Sequence, residues 1–347
     1  MPTLSIFKTE SLTTAKWAGI ILGVLLGLFL LIKIVFFIKE LIVPTPPPPP
    51  TASFGKLPQI FFPSGIKKKF SYTIDTISGQ LPALPDRTKV YEMNKPKPDI
   101  LAVKRASEKV AILKFNPQPE HLSDILYRWS SPGSPPKSLV LNVNIASFTL
   151  YSPYLTDQFV LSGASLPDQE SAVSEAQAFL QTLELYPDDI DEEKTKTELF
   201  SIINGVITPA LSISAAKLIS VDFFQKSIDD IQVVYPAGPS STMNFVIAGG
   251  EFEPQVVSGR FFYQKITDKS STYPIKTAEE SYEELKKGNA YVAAYQGENL
   301  NIVIKKVYLG FYIEGREQNY LMPVVVFEGT NNFVAYVSAV KDELISN

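Results

Sequence analysis

The chain has no cysteine and a single histidine, His121, among its 347 residues. The first absence excludes disulfides, thiolate zinc sites, iron–sulfur clusters and cysteine nucleophiles together, so the fold is held by packing alone. The second requires any Ser-His-Asp triad or imidazole-ligated metal site to use His121. That residue lies in Pro119-Glu120-His121-Leu122-Ser123-Asp124, which reads as a polar turn, and no spacing brings metal ligands toward it. A basic excess is lacking too. Lys and Arg number 32 against 36 Asp and Glu, a net charge of −4, which offers no field to a phosphate backbone and sets nucleic acid aside as a partner. Asn-x-Ser/Thr is also absent, which fits a bacterial surface more easily than a glycosylated eukaryotic one.

What the chain does have is one long apolar run, Trp17 to Ile38, broken only by Lys33 and followed by Lys39 and Glu40. As a helix it reaches about 33 Å, the thickness of a bilayer's hydrocarbon core. Lys33 is near enough to the end to carry its ammonium into the headgroups. A cleaved signal peptide would have a shorter apolar region and a small-x-small cleavage site. Here the run ends in Val35, Phe36, Phe37 and Ile38, and no cysteine is present for a lipid. The expectation is a single-pass anchor over residues 17–39 in the cytoplasmic membrane, contacting lipid directly. Lys8 and Lys16 balance Lys33 and Lys39, so charge leaves the orientation open. A short cytoplasmic tail at 1–16 and a large domain outside the cell follow from the spacer and the resemblance described next.

Pro44, Thr45 and Pro46 to Pro50 form a stiff polyproline spacer or a docking site for a proline-binding module, within a proline-rich linker at 40–69. The basic run Lys67 to Lys69 ends that linker. Beyond it the pattern is α+β: antiparallel strands with three packed helices. Asp99 to Leu113 places Ile100, Val103, Val110 and Leu113 on one helical face, and Asp168 to Leu183 does the same with Ala172, Ala176, Phe179, Leu180 and Leu183. The third helix has a capping box at Thr277 and Glu280 and a stop at Gly288. Strand-type runs occupy 138–152, 218–224, 243–248, 256–263, 302–312, 320–327 and 333–337, with turn signals at Glu314-Gly315 and Gly329 to Asn332. Three passes of helix then strands predict units at 70–165, 166–270 and 271–347.

Within the last unit stand Tyr273-Pro274-Ile275-Lys276-Thr277-Ala278-Glu279-Glu280, the VYLGFY run at Val307 to Tyr312, YLMPVVVFEG at Tyr320 to Gly329 and FVAYVSAV at Phe333 to Val340. These resemble the terminal module of bacterial single-pass proteins of the YycH/YycI type, whose extracytoplasmic parts are PepSY-like helix-plus-strands units. From its FGKLP approach at Phe54 onward the chain is also similar to uncharacterised membrane proteins of candidate-phylum bacteria. The resemblance implies an extracytoplasmic regulator that binds protein, with no catalytic residues to carry over.

The remaining motifs carry little chemistry. Ser-x-x-Lys occurs at Ser5, Ser53, Ser64, Ser134, Ser214 and Ser338 without a companion Lys-Thr-Gly or Ser-Asp-Asn, as chance would place it. The acidic run Asp188, Asp189, Asp191, Glu192 and Glu193 lacks the glycine turn and distal glutamate of a calcium loop and reads as a solvated loop. Gly19, Gly23 and Gly27 make two overlapping Gly-x-x-x-Gly steps, a smooth face for a second copy or another membrane protein. The expected function is therefore a non-catalytic, membrane-anchored binding or regulatory protein of the cell envelope, without cofactor or metal. The alternative is an envelope hydrolase using paired carboxylates, whose geometry a sequence does not display.

Overall fold

The computed structural model describes residues 22–23, 25–33, 50–97, 99–132 and 136–346. The chain forms two compact units, Met1–Pro49 and Pro50–Asn347. In the first, 22–23 and 25–33 are helical with exposed side chains. Among the described residues no helix is long and apolar enough to cross a membrane, and most of the expected span at 17–39 lies outside them. Gly19 is also outside. Gly23 and Gly27 have open space where a Cβ would stand.

The strands of the second unit begin with β1 (Ser71–Ile74), β2 (Arg87–Met93), β3 (Glu120–His121), β4 (Leu126–Ser130), β5 (Ser138–Asn142) and β6 (Ser147–Tyr151). Next come β7 (Lys196–Ile203), β8 (Val206–Pro209), β9 (Leu218–Phe223), β10 (Gln232–Val234), β11 (Met243–Ala248) and β12 (Gln255–Phe261). The last are β13 (Ile266–Pro274), β14 (Tyr291–Ala294), β15 (Asn301–Tyr312), β16 (Tyr320–Gly329) and β17 (Phe333–Ser338). Four α-helices accompany them: α1 (Ala102–Ile112), α2 (Gln158–Ser162), α3 (Gln169–Thr182) and α4 (Ala278–Lys287). The class is α+β, as the sequence predicts.

Nine strands form one antiparallel sheet in the order β3-β4-β5-β6-β12-β11-β9-β7-β8. Successive side chains of a strand point to opposite faces, so register decides what each face shows. Tyr127, Leu141, Phe148, Phe261, Met243 and Phe223 are directly paired neighbours in one row across this sheet. That row faces α1 and α3, which contribute Val110, Ala172, Ala176, Phe179 and Leu180 to the same core. Asp168 caps α3 by accepting the Ser171 N–H at 2.7 Å. Phe148, Phe179, Phe245 and Phe261 bring their rings together with centroid separations between 5.3 and 6.3 Å, so aromatic packing fixes the helix on the sheet.

The second sheet is mixed, which corrects the expectation of antiparallel strands throughout. Its spine is the long antiparallel hairpin β15–β16, flanked by β17 and β14, and β1 and β10 both pair with β15 in parallel. β2 pairs with β16 and with β13. Residues of 70–165 thus share sheets with both later segments, since β6 also pairs with β12. Helix α4 lies on one face through Ala278 and Leu285, against Ile302, Ile304, Phe327 and Val337. Its capping box forms as expected, with Thr277 Oγ1 accepting the Glu280 N–H and Glu280 Oε2 accepting the Thr277 N–H.

Two local expectations are corrected. Ile100 is not on the buried face of α1: it precedes the helix and is fully exposed, because the helix starts at Ala102. The run 138–152 is not one strand but the hairpin β5–β6. Asn142 Oδ1 accepts the N–H groups of Asn144 at 3.0 Å and Ile145 at 3.4 Å, an Asx turn that outcompetes the alternating pattern of Val143 and Ile145.

Candidate functional site

The opposite face of the nine-stranded sheet shows the residues one step out of register with the core row. Glu120, Arg128, Val140, Thr149, Arg260, Asn244, Asp222 and Lys196 are directly paired neighbours across eight strands. Seven of these eight are polar or charged. Helix α2 covers one end of this face, where Val160 packs on Leu218, Ala248 and Val257. In the middle, Thr149, Tyr151 and Arg260 are exposed. One solvated face is ordinary for an antiparallel sheet, so the row alone marks no site.

What distinguishes this face is the cleft at its other end, about 540 Å³ in volume. Its floor is the polar face, with Asn142, Ser147, Thr149 and Arg260; one wall is the loop before β11, and the other is the β15–β16 turn with Glu314 and Arg316. Phe61, from the segment leading to β1, closes the side. Arg316 stacks its guanidinium 3.5 Å from the centre of the Phe61 ring and donates from Nε to Glu314 Oε2 at 3.0 Å. Glu314 is itself buried, and its other oxygen accepts the Phe61 N–H at 3.1 Å. These contacts fix the Arg316 plane and leave its terminal nitrogens without a hydrogen bond among the described residues. Arg260 likewise has no partner among them, whereas Arg128 in the same row is taken by Glu120 at 2.8 Å.

Beside the cleft, Asp222 Oδ1 accepts the Ser241 N–H at 2.8 Å and Oδ2 accepts from Asn244 Nδ2 at 2.9 Å. Burial pushes its carboxyl above the usual range, the two hydrogen bonds pull it back, and Glu198 pushes it further up. Asp222 thereby anchors the Ser241 wall to the sheet.

The residues singled out from sequence do not converge here. His121 is in the short edge strand β3, exposed, with its ring edge-on to Tyr127 at 5.2 Å. The acidic run is spent locally: Asp188 pairs with Lys265, Asp189 Oδ2 accepts from Gln225, and Asp191 caps a short turn. Among the described residues no cluster of three His, Asp or Glu is placed to hold a metal ion. Lys67 to Lys69 line a separate cavity of about 590 Å³ near the C-terminal end of α4, where Lys68 lies over the Tyr295 ring at 5.1 Å.

A third cavity, about 610 Å³, is lined by Lys137 and four carboxylates, Asp157, Glu175, Glu251 and Glu253. Burial lowers the Lys137 ammonium's pKa, and its Nζ donates to Gln255 Oε1 at 2.7 Å. Asp157 caps α2, and Glu253 pairs with Lys114. Arg260, Arg316 and Glu314 carried no sequence signal as a group, because they sit on different sheets and meet only through folding. Alternation along β12 was the one available hint, with Ser258 and Arg260 set against buried Gly259 and Phe261.

No protein-family model matches the chain, and no curated protein matches it. Among solved structures it is similar to an uncharacterised protein from Eubacterium rectale ATCC 33656, with 12% identity and a TM-score of 0.42, over 78% of this chain and 89% of that one.

Proposed function

We propose that this protein is a membrane-anchored, extracytoplasmic binding or regulatory protein of the bacterial envelope, without chemistry of its own. The anchor is the apolar stretch 17–39, with the N-terminus inside and 50–347 outside. Its C-terminal part, from 271 on, acts as a YycH/YycI-like module that contacts another protein. The observation that carries the binding reading is the polar row of the nine-stranded sheet running into a cleft where two arginines from different sheets stand without carboxylate partners of their own beyond Glu314. Recognition surfaces need fixed polar groups that remain available to a ligand, and this face supplies them. A hydrolase would need two convergent carboxylates with a pKa difference between them. Glu314 is the cleft's one carboxylate, and it is already engaged by Arg316 and the Phe61 N–H.

The test is site-specific photocrosslinking in native membranes. A crosslinker at exposed Tyr151, on the polar face, should give a discrete adduct; one at exposed Glu170, on α3, should not. Equal labelling from both positions, or none from Tyr151, would remove the polar face as the recognition surface.

A further inference from the structure

We infer that the cleft between Arg260 and Arg316 is a carboxylate subsite, built to receive a carboxylate presented by a peptide. This rests on the binding reading above and names the chemistry of its ligand. The charge of the cleft matches a carboxylate. Arg260 and Arg316 are the cations lining the cleft and Glu314 is its anion, so the site carries a net of one positive charge, the complement of a single carboxylate. A phosphate dianion would leave charge uncompensated beside the buried Glu314. Arg316 is planar, stacked on Phe61 and held at Nε, so the edge carrying its terminal N–H groups is preset for the paired oxygens of a carboxylate. Preorganisation of this kind lowers the entropy lost on binding.

The neutral groups of the cleft fit a peptide. Ser147 and Thr149 line the floor with hydroxyls that make no hydrogen bond among the described residues, and Asn142 uses its oxygen in the β5–β6 turn, leaving its amide N–H groups for a ligand. Leu126, Val140, Pro236 and Ala237 lie beside them. Donors for amide carbonyls next to small apolar patches suit a short peptide better than a bare ion, and about 540 Å³ is within the range of ligand pockets.

The experiment uses the full chain in nanodiscs, titrated with N-acetyl-alanyl-alanine, its C-terminal amide, N-acetyl-aspartic acid α-amide, and inorganic phosphate, read by calorimetry. At least one acid should bind with Kd at or below about 1 mM, and the dipeptide amide about tenfold or more weaker than its acid. Preference between the two acids tells a peptide C-terminus from an aspartate side chain. Arg260→Gln and Arg316→Gln should each weaken the preferred acid about tenfold or more; the thermal midpoint should be retained in Arg260→Gln, whose side chain is exposed and makes no ion pair among the described residues, and should fall modestly in Arg316→Gln, which gives up the Phe61 stack and the Glu314 pair. Arg260→Lys should recover part of the loss. Binding of neither acid, equal binding of acid and amide, tighter binding of phosphate, or indifference to both arginine substitutions would overturn the assignment. A Tyr151 adduct without acid binding removes the carboxylate subsite and leaves the recognition surface; acid binding without an adduct does the reverse.

Discussion

Arg316 lies flat on Phe61, its guanidinium carbon 3.5 Å from the ring centre, although the two residues are far apart in sequence and belong to different elements. The stack joins the segment entering β1 to the β15–β16 turn. A cation over an aromatic face at a partly exposed site contributes about 0.5–1 kcal/mol. A double-mutant cycle on Phe61→Ala and Arg316→Ala, measured by denaturant unfolding, should return a coupling of that size. A coupling indistinguishable from zero would mean that the ring does not hold the guanidinium, and the preset orientation of Arg316 would lose its cause.

Gly249 follows β11 and is pressed against the chain beyond α2. A Cβ there would stand 1.7 Å from the Ala164 carbonyl oxygen. Backbone cannot yield as a flexible side chain can, so Gly249→Ala should cost about 3 kcal/mol or more, at the upper end of overpacking effects. Gly79 gives the comparison: its φ is +69° but nothing lies within 4 Å of the Cβ position. Gly79→Ala should cost only the left-handed backbone penalty, about 1–2 kcal/mol. If the two variants lost equal stability in thermal melts, the close approach at Ala164 would not be the governing term.

These positions show where the sequence was legible and where it was not. Local signals held: Thr277, Glu280 and Gly288 delimit α4 as the capping rules require, and Ala172, Ala176, Phe179 and Leu180 on α3 all reach the core. Runs with a simple period, such as Met243–Ala248, became strands. Pairing was not legible. Nothing near Thr149 in sequence says that Arg260 will be its neighbour, because β6 meets β12 across more than a hundred residues. Since the cleft depends on that pairing and on the approach of Phe61 to Arg316, its residues look like unrelated surface positions until the sheets are assembled.

Asp222 predicts a pH dependence with a definite sign. It is 4% exposed, and burial raises its pKa, so the folded state binds this proton more tightly than the unfolded state. Its contribution is therefore fully favourable below the unfolded pKa of about 3.9 and declines as pH rises through the higher folded value. Asp222→Asn does not titrate. The stability of Asp222→Asn minus that of the parent should therefore increase with pH above about 4 and then level off. Any constant offset from turning an amide toward Asn244 cancels in the slope. A difference that stays flat from acid to neutral pH, or falls, would show that burial is not raising this carboxyl.

The capping box of α4 gives a smaller effect. Thr277→Ala removes the acceptor for the Glu280 N–H, which is held at 3.1 Å. Loss of such a cap costs about 1 kcal/mol, and Glu280 stays tied to Lys341 at 2.7 Å, so the helix should start less firmly without detaching. Thr277→Ser should recover most of the stability because it restores the hydroxyl. Equal losses from both substitutions would assign the effect to the threonine methyl group and not to the cap.

Gly23 and Gly27 are four residues apart, with nothing within 4 Å of where a Cβ would stand, and Gly19 precedes them at the same spacing. In lipid there is no hydrophobic effect between spans, so close van der Waals contact along such a face drives association. A bulky side chain at the middle position would hold a second helix away. Gly23→Ile should therefore weaken self-association in a membrane two-hybrid assay while leaving insertion intact, since isoleucine favours the bilayer. Leu25→Ile, on the far side of the helix, should leave association unchanged. If Gly23→Ile also had no effect, the glycines would be ordinary membrane-helix composition, and assembly would have to come from the domain beyond residue 50. A loss of insertion in both variants would instead count against the span itself.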